Sequence, residues 1–165
     1  MAINTTPFVS GAVLTAAQMT NLPMGAASIT SGTAGTAIVA NTTLAVLTSS
    51  TTIYAGRNYQ IFGKLAFQAN ANASVGAAMW ITANSVSRTL YYQTAGLGGV
   101  FLNLGVSGFA VYTATELGVA SGSAAVSIVL NFKCGSAGSL ASNPDGFISA
   151  NSFQQQLIVM DIGAT

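Results

Sequence analysis

Ala124-Ala125-Val126-Ser127-Ile128-Val129-Leu130-Asn131-Phe132-Lys133 decides the fold class. Ala124, Val126, Ile128, Leu130 and Phe132 fall on one phase of a two-residue period. Ala125, Ser127, Val129, Asn131 and Lys133 fall on the other. A two-residue period places successive side chains on opposite faces of an extended chain, so this stretch is a strand with one face in a core. The Gly122 that precedes it marks a turn.

The same alternation recurs on both sides. Upstream, Tyr59, Ile61, Gly63, Leu65 and Phe67 alternate with Gln60, Phe62, Lys64, Ala66 and Gln68 after the turn signal Ala55-Gly56-Arg57-Asn58. Thr43 to Tyr54 is rich in β-branched residues, which suit strands. Val75 to Ala83 sets Met79 and Ile81 against Ala78 and Trp80. After Asn84-Ser85, Arg88 to Thr94 sets Leu90 and Tyr92 against Tyr91. Gly96 to Gly99 reads as a connection, Val100 to Leu104 as a short strand and Gly105 to Gly108 as a bulge or turn. Phe109, Val111 and Thr113 then alternate with Ala110, Tyr112 and Ala114. Downstream, Asn143-Pro144-Asp145-Gly146 is a strong turn tetrad. A last strand runs from about Ser152 to Ile162, with Phe153, Gln155, Leu157 and Val159 on one phase. Many short strands separated by Gly-rich turns predict an all-β domain, either sandwich or barrel. A jelly-roll-like antiparallel β-sandwich of about eight to ten strands is the preferred form.

The first 35 residues read differently, as an extended N-terminal arm ahead of a β-sandwich domain over 36–165. Thr15 and Gln18 have capping-box spacing, Ala16, Ala17, Gln18 and Met19 are good helix formers, and Pro23 ends the run. One short helix near 15–22 is therefore expected, and a helix of that length is unstable alone in water. Its apolar Leu14, Met19 and Leu22 require a docking surface, on this domain or on a neighbouring subunit. Phe8, Val13, Leu14, Met19, Leu22 and Pro23 are the candidate anchoring residues.

Charge narrows the function. Of 165 residues only 4% are charged, against about 25% in ordinary domains. The cations are Arg57, Lys64, Arg88 and Lys133, the anions Glu116, Asp145 and Asp161, and the formal net charge is +1. Such a chain repels its own copies weakly, which favours association. Four scattered cations form no stripe for phosphates, so a nucleic-acid partner is not expected. With 51% apolar residues the chain is not of disordered composition. Its mean hydropathy is +0.59, yet Thr, Ser, Asn and Gln break every apolar segment before about 18 residues accumulate, and no secretory signal opens the chain. A transmembrane barrel needs aromatic girdles at strand ends, and the aromatics here are not so placed. No membrane partner is expected.

No enzymatic chemistry is expected either. The sequence contains no His, which removes Ser-His-Asp, Cys-His and His-metal arrangements together. The carboxylates are scattered; Glu116 with Asp145 is the nearest thing to a glycosidase pair and reads better as solvated loop charges. Asn143, Asp145 and Asn151 fit a turn better than a calcium cage. The lone Cys134 reads as a small buried hydrophobe. Gly32 to Thr36 and Gly96 to Gly99 lack the Lys-Ser/Thr ending of a phosphate loop. No metal, cofactor or catalytic residue is expected. Trp80, Tyr91, Tyr92 and Tyr112 are candidate ligand or interface aromatics, with core or interface roles the commoner use of such positions.

The two ends carry a resemblance. Phe8-Val9-Ser10-Gly11-Ala12-Val13-Leu14-Thr15-Ala16-Ala17-Gln18-Met19-Thr20-Asn21-Leu22-Pro23-Met24-Gly25 resembles the opening of many tailed-bacteriophage virion proteins, known variously as minor tail, head-decoration or other structural proteins. Phe153 with Leu157-Ile158-Val159-Met160-Asp161-Ile162-Gly163 is similar to how those chains close, although they usually carry an acidic residue at the position of Met160. The resemblance is specific only at these two ends. It implies an oligomeric β-sandwich, often TNF-like and trimeric, with an anchoring arm. It also implies a location in the virion, assembled in the host cytoplasm, and contact with the major capsid protein or another virion protein. The expected function is a capsid decoration (cement) protein that forms a homo-oligomer, a trimer by the resemblance, through its β-domain. The alternative is a minor tail, collar or fibre protein that binds host carbohydrate.

Overall fold

The computed structural model describes residues 21–32, 36–69, 75–97, 102–140 and 155–164. Among them are ten strands: β1 (Gly25–Gly32), β2 (Ala37–Ile38), β3 (Leu44–Tyr54), β4 (Arg57–Ala69), β5 (Val75–Ala83), β6 (Val86–Leu97), β7 (Leu102–Thr113), β8 (Ser123–Cys134), β9 (Gly138–Leu140) and β10 (Gln155–Ala164). The expected helix near 15–22 lies outside the described residues except for Asn21 and Leu22, which form a turn and a bend. Phe8, Val13, Leu14, Met19, Phe153 and the 143–146 turn also lie outside them.

The strands form two antiparallel sheets. One has the order β1-β10-β4-β7, with the short β9 and β2 continuing the line beyond the end of β10. The other has the order β3-β8-β5-β6. Numbering the eight long strands in chain order gives 1-8-3-6 facing 2-7-4-5, the strand order of a jelly roll. At one side of the sandwich edge strand β1 lies along edge strand β3; at the other, β7 lies along β6.

The core lies between the sheets. Ile128, Leu130 and Phe132 of β8 are fully buried beside Met79 and Ile81 of β5, and they face Tyr59, Ile61, Leu65 and Phe67 of β4 with Leu157 and Val159 of β10. Each such side chain removed from water stabilises the fold by about 1.5–3 kcal/mol. The inward phase expected for β8 holds from Val126 to Phe132, while Ala124, at the strand's open end, is exposed. Cys134 is buried at the other end of the same strand. Leu117 and Val119, in the turn between β7 and β8, plug one end of the sandwich.

Two expectations change. The segment over 25–32, assigned to the arm, is strand β1, paired with β10 from Gly25↔Asp161 to Gly32↔Gln155. Its sequence GAASITSG carries no strong β signal; β10 and β3 hold it in place. The Ser28 and Ser49 hydroxyls are 2.9 Å apart and Thr51 Oγ1 donates to the Ala27 carbonyl at 3.3 Å, which joins the two edge strands across the sandwich. Secondly, Gly105 to Gly108 is no turn. β7 runs unbroken from Leu102 to Thr113, with Gly108 directly opposite Gly63 of β4. A Cβ on Gly108 would lie 2.7 Å from the Leu90 carbonyl oxygen, and one on Gly63 would lie 3.0 Å from a Leu90 methyl. The two glycines form a notch that lets β6 close against this sheet, and that need overrides their poor strand propensity.

Candidate functional site: assembly surfaces

Three features are candidates for holding this chain to something else, and the first is where the N-terminal segment joins the domain. Arg57 opens β4 and Asp161 lies in β10. They are 104 residues apart in sequence, adjacent in the sheet, and their side chains are 6% and 3% exposed. The guanidinium Nε donates to Asp161 Oδ2, and Nη2 donates to Oδ1 at 2.8 Å, a bidentate fork. Nη2 also donates to the Leu22 carbonyl at 2.6 Å. The Gly163 amide donates to Asp161 Oδ1 at 2.9 Å, the Met24 amide reaches the same carboxylate, and the Ala164 amide donates to the Asn21 carbonyl at 3.4 Å. Burial works against the Asp161 charge, yet the Arg57 fork and the Gly163 and Met24 amides outweigh it and hold the carboxyl below its ordinary value. The bond to Asp161, opposed by burial, raises the Arg57 value further. Asn21 to Met24 is thus clamped by a charged pair that is ionised at all ordinary pH values. Gly163, at φ +112°, brings its backbone against the Asn21 carbonyl: a Cβ there would lie 3.1 Å from that oxygen.

Beside the clamp, between β1 and β3, is an open cleft of about 450 Å³ lined by Met24, Ala27, Thr51, Tyr54, Tyr59 and Asp161. Tyr59 is fully buried, and its hydroxyl accepts from the Tyr54 amide at 2.8 Å; burial raises its pKa. It braces the β3–β4 corner and offers no free reactive group.

The outer face of the β1-β10-β4-β7 sheet is the second feature. Directly opposed residues in an antiparallel pair share a face. Ile29 pairs with Ile158, Ile158 with Phe62, and Phe62 with Phe109. The neighbours of these residues, Leu157, Val159 and Ile61, are buried inside. One apolar row therefore crosses four strands on the outside, with Ile29 62% and Phe109 61% exposed at its ends. Met160, Gln60 and Val111 form the row on one side of it; Gln156, Lys64 and Ser107 form the row on the other. Among the described residues Lys64 is the sole charged side chain on this face.

The third is the outer face of the other sheet. Tyr92 is 70% exposed and pairs with Ala78, next but one to the half-buried Trp80. Asn131 Nδ2 donates to Thr82 Oγ1 on the same face at 3.2 Å. The expected aromatics thus separate. Trp80 and Tyr92 face outward. Tyr91 pairs with Met79 on the inward side and its hydroxyl donates to Gln93 Oε1. Tyr112 is fully buried, its hydroxyl donates to the Ile81 carbonyl at 3.3 Å, and burial pushes its pKa to about 12. Tyr112 therefore belongs to the core and lines no surface. Arg88 lies over its ring, 5.0 Å from the centroid, and pairs with Glu116. Glu116 also accepts from the Thr113 amide at 2.8 Å, which with Arg88 holds its carboxyl below the ordinary value. Glu116 is thus a turn cap; Asp145 lies outside the described residues.

Leu22 and Pro23, the described members of the anchoring set, sit at the clamp, where Leu22 contributes its carbonyl and is 40% exposed. The Arg57–Asp161 pair escaped the sequence reading because nothing local links two charges so far apart. Asp161 within an otherwise apolar strand was the available signal, since a charge on a buried phase needs a partner. Among the described residues no three potential metal-binding side chains lie together, and no helix is long and apolar enough to cross a membrane.

No protein-family model matches this chain, and no curated protein matches it. Solved structures do. The VP2 subviral particle of infectious bursal disease virus aligns over 87% of this chain and 38% of its own, at 13% identity and a TM-score of 0.46. The T13 particle of the same virus aligns over 88% and 37%, at 11% identity and a TM-score of 0.39. A D431N VP2 variant forming T=1 particles gives 88% and 36%, with 14% identity and a TM-score of 0.39. This chain spans under two-fifths of those proteins, and the likeness is at most one of fold.

Proposed function

We propose that this chain is a non-enzymatic virion subunit, a capsid decoration (cement) protein of a tailed phage. Its jelly roll self-associates, and its N-terminal segment grips the major capsid protein or a neighbouring subunit. The observation that carries this reading is the clamp. A buried bidentate ion pair, expensive to desolvate, is spent on fixing Asn21 to Met24 to the sheet, so the preceding residues leave from a fixed point. Those twenty residues contain no charged side chain and include Phe8, Val13, Leu14 and Met19. A rigid body with a fixed-origin apolar segment suits a subunit whose weak contacts are summed over many copies. Any closed assembly repeats each contact at every copy; the trimer implied by the resemblance is one such assembly.

Deleting residues 1–20 tests the reading, because it leaves the clamp and β1 intact. The truncated chain is expected to melt as the full chain does and to lose binding to undecorated capsids. Capsid binding equal to that of the full chain would overturn it. A second reading, a tail or fibre subunit that binds host carbohydrate, draws on the outward pair Tyr92 and Trp80. Glycan binding abolished by Tyr92→Ala, together with a low copy number per virion, would favour it.

A further inference from the structure

We infer that the outer face of the β1-β10-β4-β7 sheet is where a second copy of this chain docks, paired about a two-fold axis parallel to the strands. The inference deepens the self-association part of the proposed function and rests on it.

Three properties of the face point to a second copy. The first is size. The face is four strands across at about 4.8 Å each and eight residues long at β1, at about 3.4 Å each, so it covers about 500 Å² in plan. With side-chain relief, a pair of such faces buries about 1,200 Å², the lower bound for a specific interface. The second is charge. Lys64 is the sole charged side chain on this face among the described residues, and the whole chain carries +1, so two copies approach with little repulsion.

The third is self-complementarity. The row is aliphatic at one end and aromatic at the other: Ile29, Ile158, Phe62, Phe109. A two-fold axis along the strands, midway between β10 and β4, keeps the row level and reverses it. Ile29 then meets Phe109 of the second copy, and Ile158 meets its Phe62. Isologous pairing makes each contact twice. The same operation sets Lys64 against the second copy's Gln156, an acceptor for its ammonium, and Met160 against its Gln60. No like charges meet. An axis across the strands, along this row, would instead stack each residue of the row on its own copy.

Sedimentation equilibrium of the full-length protein tests the face, with Phe109→Lys as the probe and Tyr92→Lys, on the opposite sheet, as the control. Both positions are exposed, so both variants are expected to fold, which circular dichroism checks. The parent and Tyr92→Lys should associate alike, while Phe109→Lys weakens pairing by about 100-fold or more, because the two-fold sets the introduced charge against an apolar Ile29 at both ends of the row. A parent that stays monomeric to high concentration overturns the self-association reading and the face with it. A parent that associates, with Phe109→Lys associating equally or Tyr92→Lys dissociating as far, overturns the face alone. The axis has its own test: a short bismaleimide should link chains carrying Ile29→Cys to chains carrying Phe109→Cys in a mixture. Links formed as well within either single variant would refute the strand-parallel axis.

Discussion

Replacing Asp161 by Asn keeps the shape of the clamp and removes its charge. In the wild-type protein the Asp161 carboxylate accepts two bonds from Arg57 and one each from the Gly163 and Met24 amides, all away from water. In the variant the guanidinium stays buried, with the Leu22 carbonyl and a neutral amide in place of a counter-ion. Breaking one half of a buried pair costs about 3–5 kcal/mol, a large part of the 5–15 kcal/mol that holds a typical domain together. At about 2–4 °C per kcal/mol for a chain of this size, the melting midpoint should fall by about 6–20 °C. The assay is thermal unfolding followed by circular dichroism, with limited proteolysis at Asn21 to Met24 as a local readout. The double variant Arg57→Met, Asp161→Leu should recover most of the loss, because two apolar side chains carry no unpaired charge. A fall below about 2 °C in Asp161→Asn, or a double variant worse than the single, would refute the claim that the clamp is a desolvated ion pair.

Further outcomes follow from the same contacts. Asp161 and Glu116 have folded-state values below their unfolded ones; their contribution to stability is complete above the ordinary carboxylate range, about pH 4, and is lost as pH falls through the depressed folded values. Melting midpoints should therefore hold level from neutral pH to about pH 5 and drop below it, and the drop should be shallower in Asp161→Asn. Gly108→Ala should cost about 1–3 kcal/mol in denaturant titrations, because its Cβ meets a backbone oxygen at 2.7 Å; Gly63→Ala should cost less, because the atoms it meets are the methyl ends of Leu130 and Leu90. Asn84 and Ser85 both have positive φ, 45° and 63°, in the two-residue turn between β5 and β6. Ser85→Gly should therefore raise the midpoint by about 1–3 °C; a lowered midpoint would show that the Ser85 side chain contributes more than its strain.

Much of the sandwich was legible because a buried sheet face writes itself into sequence as alternation. Ile128, Leu130 and Phe132, like Ile61, Leu65 and Phe67, were readable as inward side chains and are buried. Pairwise features were not legible. β1 is a strand because of what lies on either side of it, and Gly108 is mid-strand because Leu90 presses on it from the other sheet. Periodicity also leaves the sign of a phase open when both phases are apolar: in β7 it is Tyr112 that turns inward, while Phe109 and Val111 face out. The apolar row has the same origin. Ile29, Ile158, Phe62 and Phe109 belong to four separate strands, and only the register brings them together.

On the function proposed above, this chain works by joining a larger particle. Immunogold imaging of intact virions, with an antibody raised against the β-domain, tests it most directly. Label should fall in a regular array over the particle's shell and be lost when residues 1–20 are deleted. Virions that carry no label, with the chain recovered only as a free monomer of 16.5 kDa, would contradict it.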